Sequence, residues 1–134
     1  MIDVAKKLRA YLEINHHDVK LPFIHKFPKD CCEVTTLVLY LAISKVKENM
    51  SYFVGKGYDR ENDIRHYWLE SDDGIIDITA DQFGKELLYS SNGGWVHNKF
   101  SDYELIAPVE FALSNEIFLS NREEFDRVVS LLKI

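Results

Sequence analysis

Between residues 3 and 15 the apolar side chains Val4, Leu8, Tyr11, Leu12 and Ile14 recur at helical spacing, with lysines and arginine between them. That pattern predicts an amphipathic helix. Residues 16–29 carry Pro22 and Pro28 and read as a loop. From Cys32 to Ile43 the chain is apolar nearly all round. Such a stretch is a buried helix or a buried strand, and periodicity does not separate them. Its length favours a helix, as does Asp30, a good N-cap type, just ahead of it. The β-branched Val34, Thr35 and Thr36 pull weakly the other way.

Three strand-like runs follow, at 51–58, 64–71 and 74–79. The second alternates around His66, Trp68 and Glu70. Asp72-Asp73-Gly74 reads as the turn of a hairpin joining the second run to the third. Asn92-Gly93-Gly94 is a further turn. The pattern over 103–119 is broken at Pro108, so no element is assigned there. Residues 120–132 read as a final helix, with Ser120 or Asn121 as cap and Glu123 and Glu124 in its first turn. Helices and strands segregate along the chain. The expected class is α+β, a single domain over 1–134 with an antiparallel sheet packed on a central helix.

The 134 residues are 46% hydrophobic, 28% charged and carry a net charge of −6. This composition suits a globular chain able to bury a core without a disulfide or metal staple. An acidic balance with one short basic run at Lys6, Lys7 and Arg9 argues against nucleic-acid binding, which needs a clustered basic footprint. The sequence offers neither an apolar run long enough to span a membrane nor a signal-peptide pattern at Met1–Lys7, so the expectation is a cytoplasmic protein without a membrane partner. Oligomeric state is not readable.

The chemistry-bearing residues are few. Cys31 and Cys32 are adjacent, and no other cysteine exists to pair with. Adjacent cysteines rarely bond to each other, because a disulfide needs its Cα atoms farther apart than one trans peptide places them. If a helix starts near Asp30, both thiols lie in its first turn, where unpaired N–H groups and the dipole favour a thiolate. Two small buried hydrophobes are the alternative. His66, Trp68 and Glu70 share one strand face. In a hairpin centred on the Asp72-Asp73-Gly74 turn, residues 68 and 77 lie opposite, which makes His66 and Asp77 near-diagonal neighbours. An aspartate there can take a hydrogen bond from the imidazole and fix its tautomer. Asp81 is the alternative orienter, or a cap on the turn that follows; the cap is favoured. Gln82 is a minor candidate oxyanion donor. Trp68 and Trp95 read as core or cleft walls, and His97 as a surface histidine or one at a site rim. His16, His17, Asp18 and His25 match no standard zinc spacing, so neither metal nor cofactor is expected.

Taken together, Phe27-Pro28-Lys29-Asp30-Cys31-Cys32-Glu33-Val34-Thr35-Thr36, His66-Tyr67-Trp68-Leu69-Glu70 and Ile75-Ile76-Asp77-Ile78-Thr79-Ala80-Asp81-Gln82-Phe83 resemble the papain-like and transglutaminase-like cysteine superfamily, with a weaker echo at Trp95-Val96-His97. The resemblance is strongest to small bacterial domains with similar His-x-Trp-Leu-Glu and Ile-Asp-Ile-Thr-Ala-Asp-Gln-Phe segments, and it covers about residues 27–83. It implies a papain-like core and a thiol-dependent acyl-transfer activity on a protein, peptide or amide substrate. It further implies Cys32 as nucleophile, with Thr36 as the small polar residue four positions on, His66 as base and Asp77 as orienter. Cys31 becomes a neighbouring thiol, the resolving one if Cys32 is oxidised. Two departures bear on activity. Asp30 stands where that family has glycine, and Glu33 replaces a smaller residue; carboxylates there oppose a thiolate. A non-catalytic binding or immunity-like module on the same fold is the second expectation.

Overall fold

Burial of one stripe of α1 (Ile2–Asn15) and of most of α2 (Cys32–Val46) builds the centre of the molecule. The structure is a computed structural model and describes residues 2–46, 52–72, 74–83, 100 and 102–134. Val4, Ala5, Leu8 and Leu12 of α1 face inward, as their spacing predicts. The stretch after Cys32 is a helix. Its β-branched residues cost a few tenths of a kcal/mol each in propensity, and Val34, Thr35 and Thr36 are all buried, so packing outweighs that cost. The linker between α1 and α2 turns through two short 3₁₀ segments at His16–Asp18 and Ile24–Lys26.

The sheet has the strands β1 (Phe53–Asp59), β2 (Ile64–Ser71), β3 (Gly74–Ile76) and β4 (Asp102–Ile106). Their order is β3-β2-β1-β4, with every pair antiparallel. The chain is therefore α+β, with a four-stranded antiparallel sheet and five helices among the described residues. The Asp59 carboxylate shapes the β1–β2 connection by accepting from the Glu61 and Asn62 backbone N–H groups and the Asn62 amide. In the β2–β3 hairpin Leu69 faces Ile76 and Ser71 faces Gly74. That register extends to residue 68 opposite residue 77, as the turn predicts.

Alternation along β2 divides its side chains between two clusters. Tyr67 and Leu69 join Val54, Ile76 and the inner face of α2 in the main core. Trp68 turns the other way and packs with Ile75 and Phe100 in a second, aromatic cluster. Phe100 and Phe83 also lie against the His66 ring. Gly55 stands opposite Trp68. A Cβ at Gly55 would lie 2.3 Å from the indole, and one at Gly57 would lie 2.7 Å from the Phe100 ring. Small residues at these two positions are what let the rings lie flat on the sheet.

Several local expectations are corrected. Asp30 does not cap α2. The Cys31 carbonyl accepts the first helical bond, from Thr35 N–H at 2.9 Å, which puts Cys31 in the cap position. Asp30 precedes it in the left-handed region, at φ 57°, with its carboxylate 3.7 Å from Lys26 Nζ. The third strand ends at Ile76; Asp77 makes an isolated bridge beyond it, and residues 78–79 turn away. Residues 103–119 hold most of β4, then α3 (Pro108–Leu113) and most of α4 (Glu116–Ser120). Pro108 starts a helix there, because a first-turn position needs no N–H donor. The last helix, α5, spans Arg122–Leu131. Asn121 precedes it without a side-chain capping bond and donates its amide to the Ile117 carbonyl instead. The Asn92-Gly93-Gly94 turn and Trp95, Val96 and His97 lie outside the described residues.

Candidate active site

The start of α2 forms one wall of a cleft of about 690 Å³. Cys31, Cys32 and Glu33 line it from the helix, Arg65 and Tyr67 from β2, and Gln82 and Phe83 from the 3₁₀ turn Ala80–Phe83. The N–H groups of Cys32, Glu33 and Val34 precede the first helical bond and have no intrahelical acceptor, so this end of α2 favours negative charge.

Behind Gln82 lie His66 and Asp77, at 0% and 2% exposure. His66 Nε2 stands 2.5 Å from Asp77 Oδ2. The second carboxylate oxygen, Oδ1, accepts from the Thr79 backbone N–H at 3.1 Å and from the Thr79 hydroxyl at 3.3 Å. Asp77 is thereby fixed by the turn that follows it and is aimed at the imidazole. The diagonal pairing expected from the hairpin is what brings the two together.

The other ring nitrogen, Nδ1, stands 3.3 Å from Gln82 Nε2. The same Gln82 nitrogen donates to the Thr79 carbonyl at 3.1 Å. A carbonyl only accepts, so this bond fixes which end of the Gln82 amide is nitrogen. His66 Nδ1 must then be the acceptor, and the ring proton sits on Nε2, toward Asp77. The tautomer follows from a chain of bonds ending on a backbone carbonyl.

Asp81 has a different partner. Arg9 of α1 clamps it with two bonds, of 2.7 and 3.0 Å, and also donates to the Ile78 carbonyl. The Arg9 clamp anchors to the first helix the turn that carries Gln82. Asp77, not Asp81, lies against His66. In the sequence Arg9 reads only as part of the basic run with Lys6 and Lys7, and no local signal reveals a contact between residues 72 apart.

The thiols are less activated than their position at a helix start suggests. Burial pushes Cys32 up to about 12, with the Asp77 charge adding to it and backbone hydrogen bonds from Tyr67 and Glu33 opposing it. Burial likewise pushes Cys31 up to about 11, opposed by the Thr35 hydroxyl 3.5 Å from its sulfur and reinforced by Asp30. Desolvation disfavours the charged thiolate more than these donors restore it. Of the two acidic neighbours, Asp30 acts on Cys31, while the Glu33 carboxylate accepts from the Asn115 amide. The four-residue spacing invoked for Cys32 and Thr36 is realised as a bond one residue earlier, between Cys31 and Thr35. Cys32 meets β2 at the backbone of Tyr67, one residue from His66. The structure thus brings Cys31, Cys32 and Gln82 to one cleft, with Gln82 bonded to Nδ1 of the buried His66–Asp77 pair.

Among the described residues, no group of three or more His, Cys, Asp and Glu side chains is arranged to hold a metal, and no helix is long and apolar enough to cross a membrane. No family model, curated protein or solved structure matches this chain.

Proposed function

We propose that this chain is a thiol-dependent acyl-transfer enzyme on a papain-like core, with Cys32 as nucleophile, His66 as base and Asp77 as orienter. The observation that carries the reading is the buried His66–Asp77 pair, which sends the ring proton to Nε2 and leaves Nδ1 as an acceptor, beside a cleft that the start of α2 lines with cysteine. In the reaction, the Cys32 thiol gives its proton to Nδ1 as sulfur bonds to the carbonyl carbon of an amide or thioester. The carbon–nitrogen or carbon–sulfur bond then breaks, and the leaving group takes that proton from His66. Water or an amine next attacks the acyl-enzyme, loses its proton to His66 and releases Cys32, which is reprotonated. The N–H of Cys32, which precedes the first helical bond, is the candidate donor to the oxyanion. A protein, peptide or amide substrate suits this chemistry, and no cofactor enters it.

The second reading is a non-catalytic binding module on the same fold. The high thiol pKa values favour it, because an unperturbed cysteine is a better nucleophile at neutral pH than either of these. Alkylation of Cys32 by iodoacetamide, followed by fragment-ion mass spectrometry to separate it from Cys31, divides the two. The enzyme reading expects Cys32 to label below pH 8 and to slow in a His66→Ala variant, whether or not residue 82 is also changed. Equal, slow labelling with and without His66 in both backgrounds removes the enzyme reading and leaves the binding module.

A further inference from the structure

We propose that Gln82 is a latch on the base: its side-chain amide holds His66 Nδ1 in the resting protein, and its withdrawal frees that nitrogen for the Cys32 proton. The inference rests on the acyl-transfer reading and adds a positioning residue to it.

Three observations converge on Gln82. Its nitrogen is shared between His66 Nδ1 and the Thr79 carbonyl. It lines the same cleft as Cys31 and Cys32, so an entering group can reach it. Its turn is tied to α1 through Arg9 and Asp81, which keeps the backbone in place while the side chain swings. Asp77 completes the device. With Nε2–H committed to Asp77 at 2.5 Å, Nδ1 is the nitrogen left to take a proton, and it is the one Gln82 covers. An acceptor arriving in the cleft, such as the carbonyl of a peptide substrate, can draw the Gln82 N–H away from Nδ1. The base is then released when the cleft fills.

The Gln82–His66 contact is a long bond between neutral groups. Bonds of that kind contribute about 0.5–1.5 kcal/mol net, which corresponds to roughly 2- to 10-fold in an equilibrium. The latch therefore biases the base and does not abolish it.

A four-protein cycle tests this: wild type, His66→Ala, Gln82→Ala and the double variant, with Cys32 alkylation by iodoacetamide measured from pH 6 to 9. Sulfur attacks the iodoacetamide methylene, iodide leaves and His66 takes the thiol proton. The latch expects Gln82→Ala to label about 2- to 10-fold faster than wild type at pH 7, and the gain to vanish in the double variant. A Gln82→Ala rate equal to or below wild type overturns the latch, while a His66 effect in the same cycle leaves the acyl-transfer reading standing. A gain that survives in the double variant is simple exposure of the thiol and also overturns it. No His66 effect in either background is the separate signature of failure of the acyl-transfer reading. The wild-type imidazole gives a readout independent of any variant's folding: its ¹⁵N spectrum should show Nδ1 unprotonated and Nε2 protonated, and the reverse tautomer refutes the latch.

Discussion

Replacing Asp77 with asparagine keeps the shape of the side chain and changes one oxygen into a donor. In the native site both carboxylate oxygens accept: Oδ2 faces His66 Nε2 at 2.5 Å, and Oδ1 takes two bonds from Thr79. An asparagine oxygen can keep the Thr79 bonds, which leaves its NH₂ facing His66 Nε2. Two donors now meet unless the imidazole moves its proton to Nδ1. There it confronts the Gln82 NH₂, whose orientation the Thr79 carbonyl enforces. One clash of donors remains whichever tautomer is chosen while Gln82 stays on the Thr79 carbonyl, in a place where His66 is fully buried. A buried polar group left without its partner costs about 1–3 kcal/mol. Asp77→Asn is therefore expected to lose about that much in urea unfolding at pH 7, with the m-value unchanged. A domain near this size shifts roughly 3–5 °C in Tm per kcal/mol. The exchanged tautomer also removes the base, so Cys32 alkylation should fall to the rate of the His66→Ala variant. An Asp77→Asn protein as stable as wild type, with its imidazole proton still on Nε2, would refute this bond network.

Two further outcomes are expected. Gly55→Ala places a methyl 2.3 Å from the Trp68 indole. That ring is stacked against both Phe100 and Tyr103, and its N–H is bonded to Glu70, so it has little room to yield. Overpacking of this kind costs about 1–3 kcal/mol, more than a strand gains from Ala over Gly, and the loss should appear in urea melts followed by tryptophan fluorescence; a stabilised Gly55→Ala variant would contradict the packing. Alkaline pH is the second. Folding raises the thiols to about 11 and about 12, above the roughly 8.5 of an unfolded cysteine, so it favours the protonated form. The stabilisation is complete below pH ~8.5 and is lost as pH climbs toward the folded values, by up to about 1.36 kcal/mol per pH unit for each thiol. Unfolding free energies at pH 7.5 and 9.5 should diverge in wild type and much less in a Cys31→Ser/Cys32→Ser protein; parallel pH dependences would show that the thiols are not buried as described.

Much of the site was legible wherever it is local. Period-3.6 and period-2 patterns mark α1, α2 and the β2–β3 hairpin, because each element buries a face whose spacing its own backbone dictates. The turn at Asp72 to Gly74 sets the register, and the register sets the His66–Asp77 diagonal; three short-range facts suffice for that pair. The start of α2 was placed one residue too early, since Asp30 has the composition of a cap while its backbone lies in the left-handed region. Pro108 looked like an interruption and is a beginning, a distinction that depends on where the helix falls.

What tertiary structure alone decided has no period to announce it. The sheet order that sets β4 against β1 joins segments with much chain between them. Arg9 reaches Asp81 across 72 positions, and through that clamp it positions the turn that carries Gln82. The thiols mark the sharpest division between the two levels. Their place at a helix start was readable from the sequence and argues for acidity. Their burial comes from α1, the sheet and the linker closing over α2, and the desolvation this imposes outweighs the helix end. Sequence placed the cysteines at the start of α2 and His66 on β2, but ran the third strand through Asp77, one residue past the end of β3. Packing decided that the imidazole's second nitrogen is held by an amide and that the thiols rest protonated.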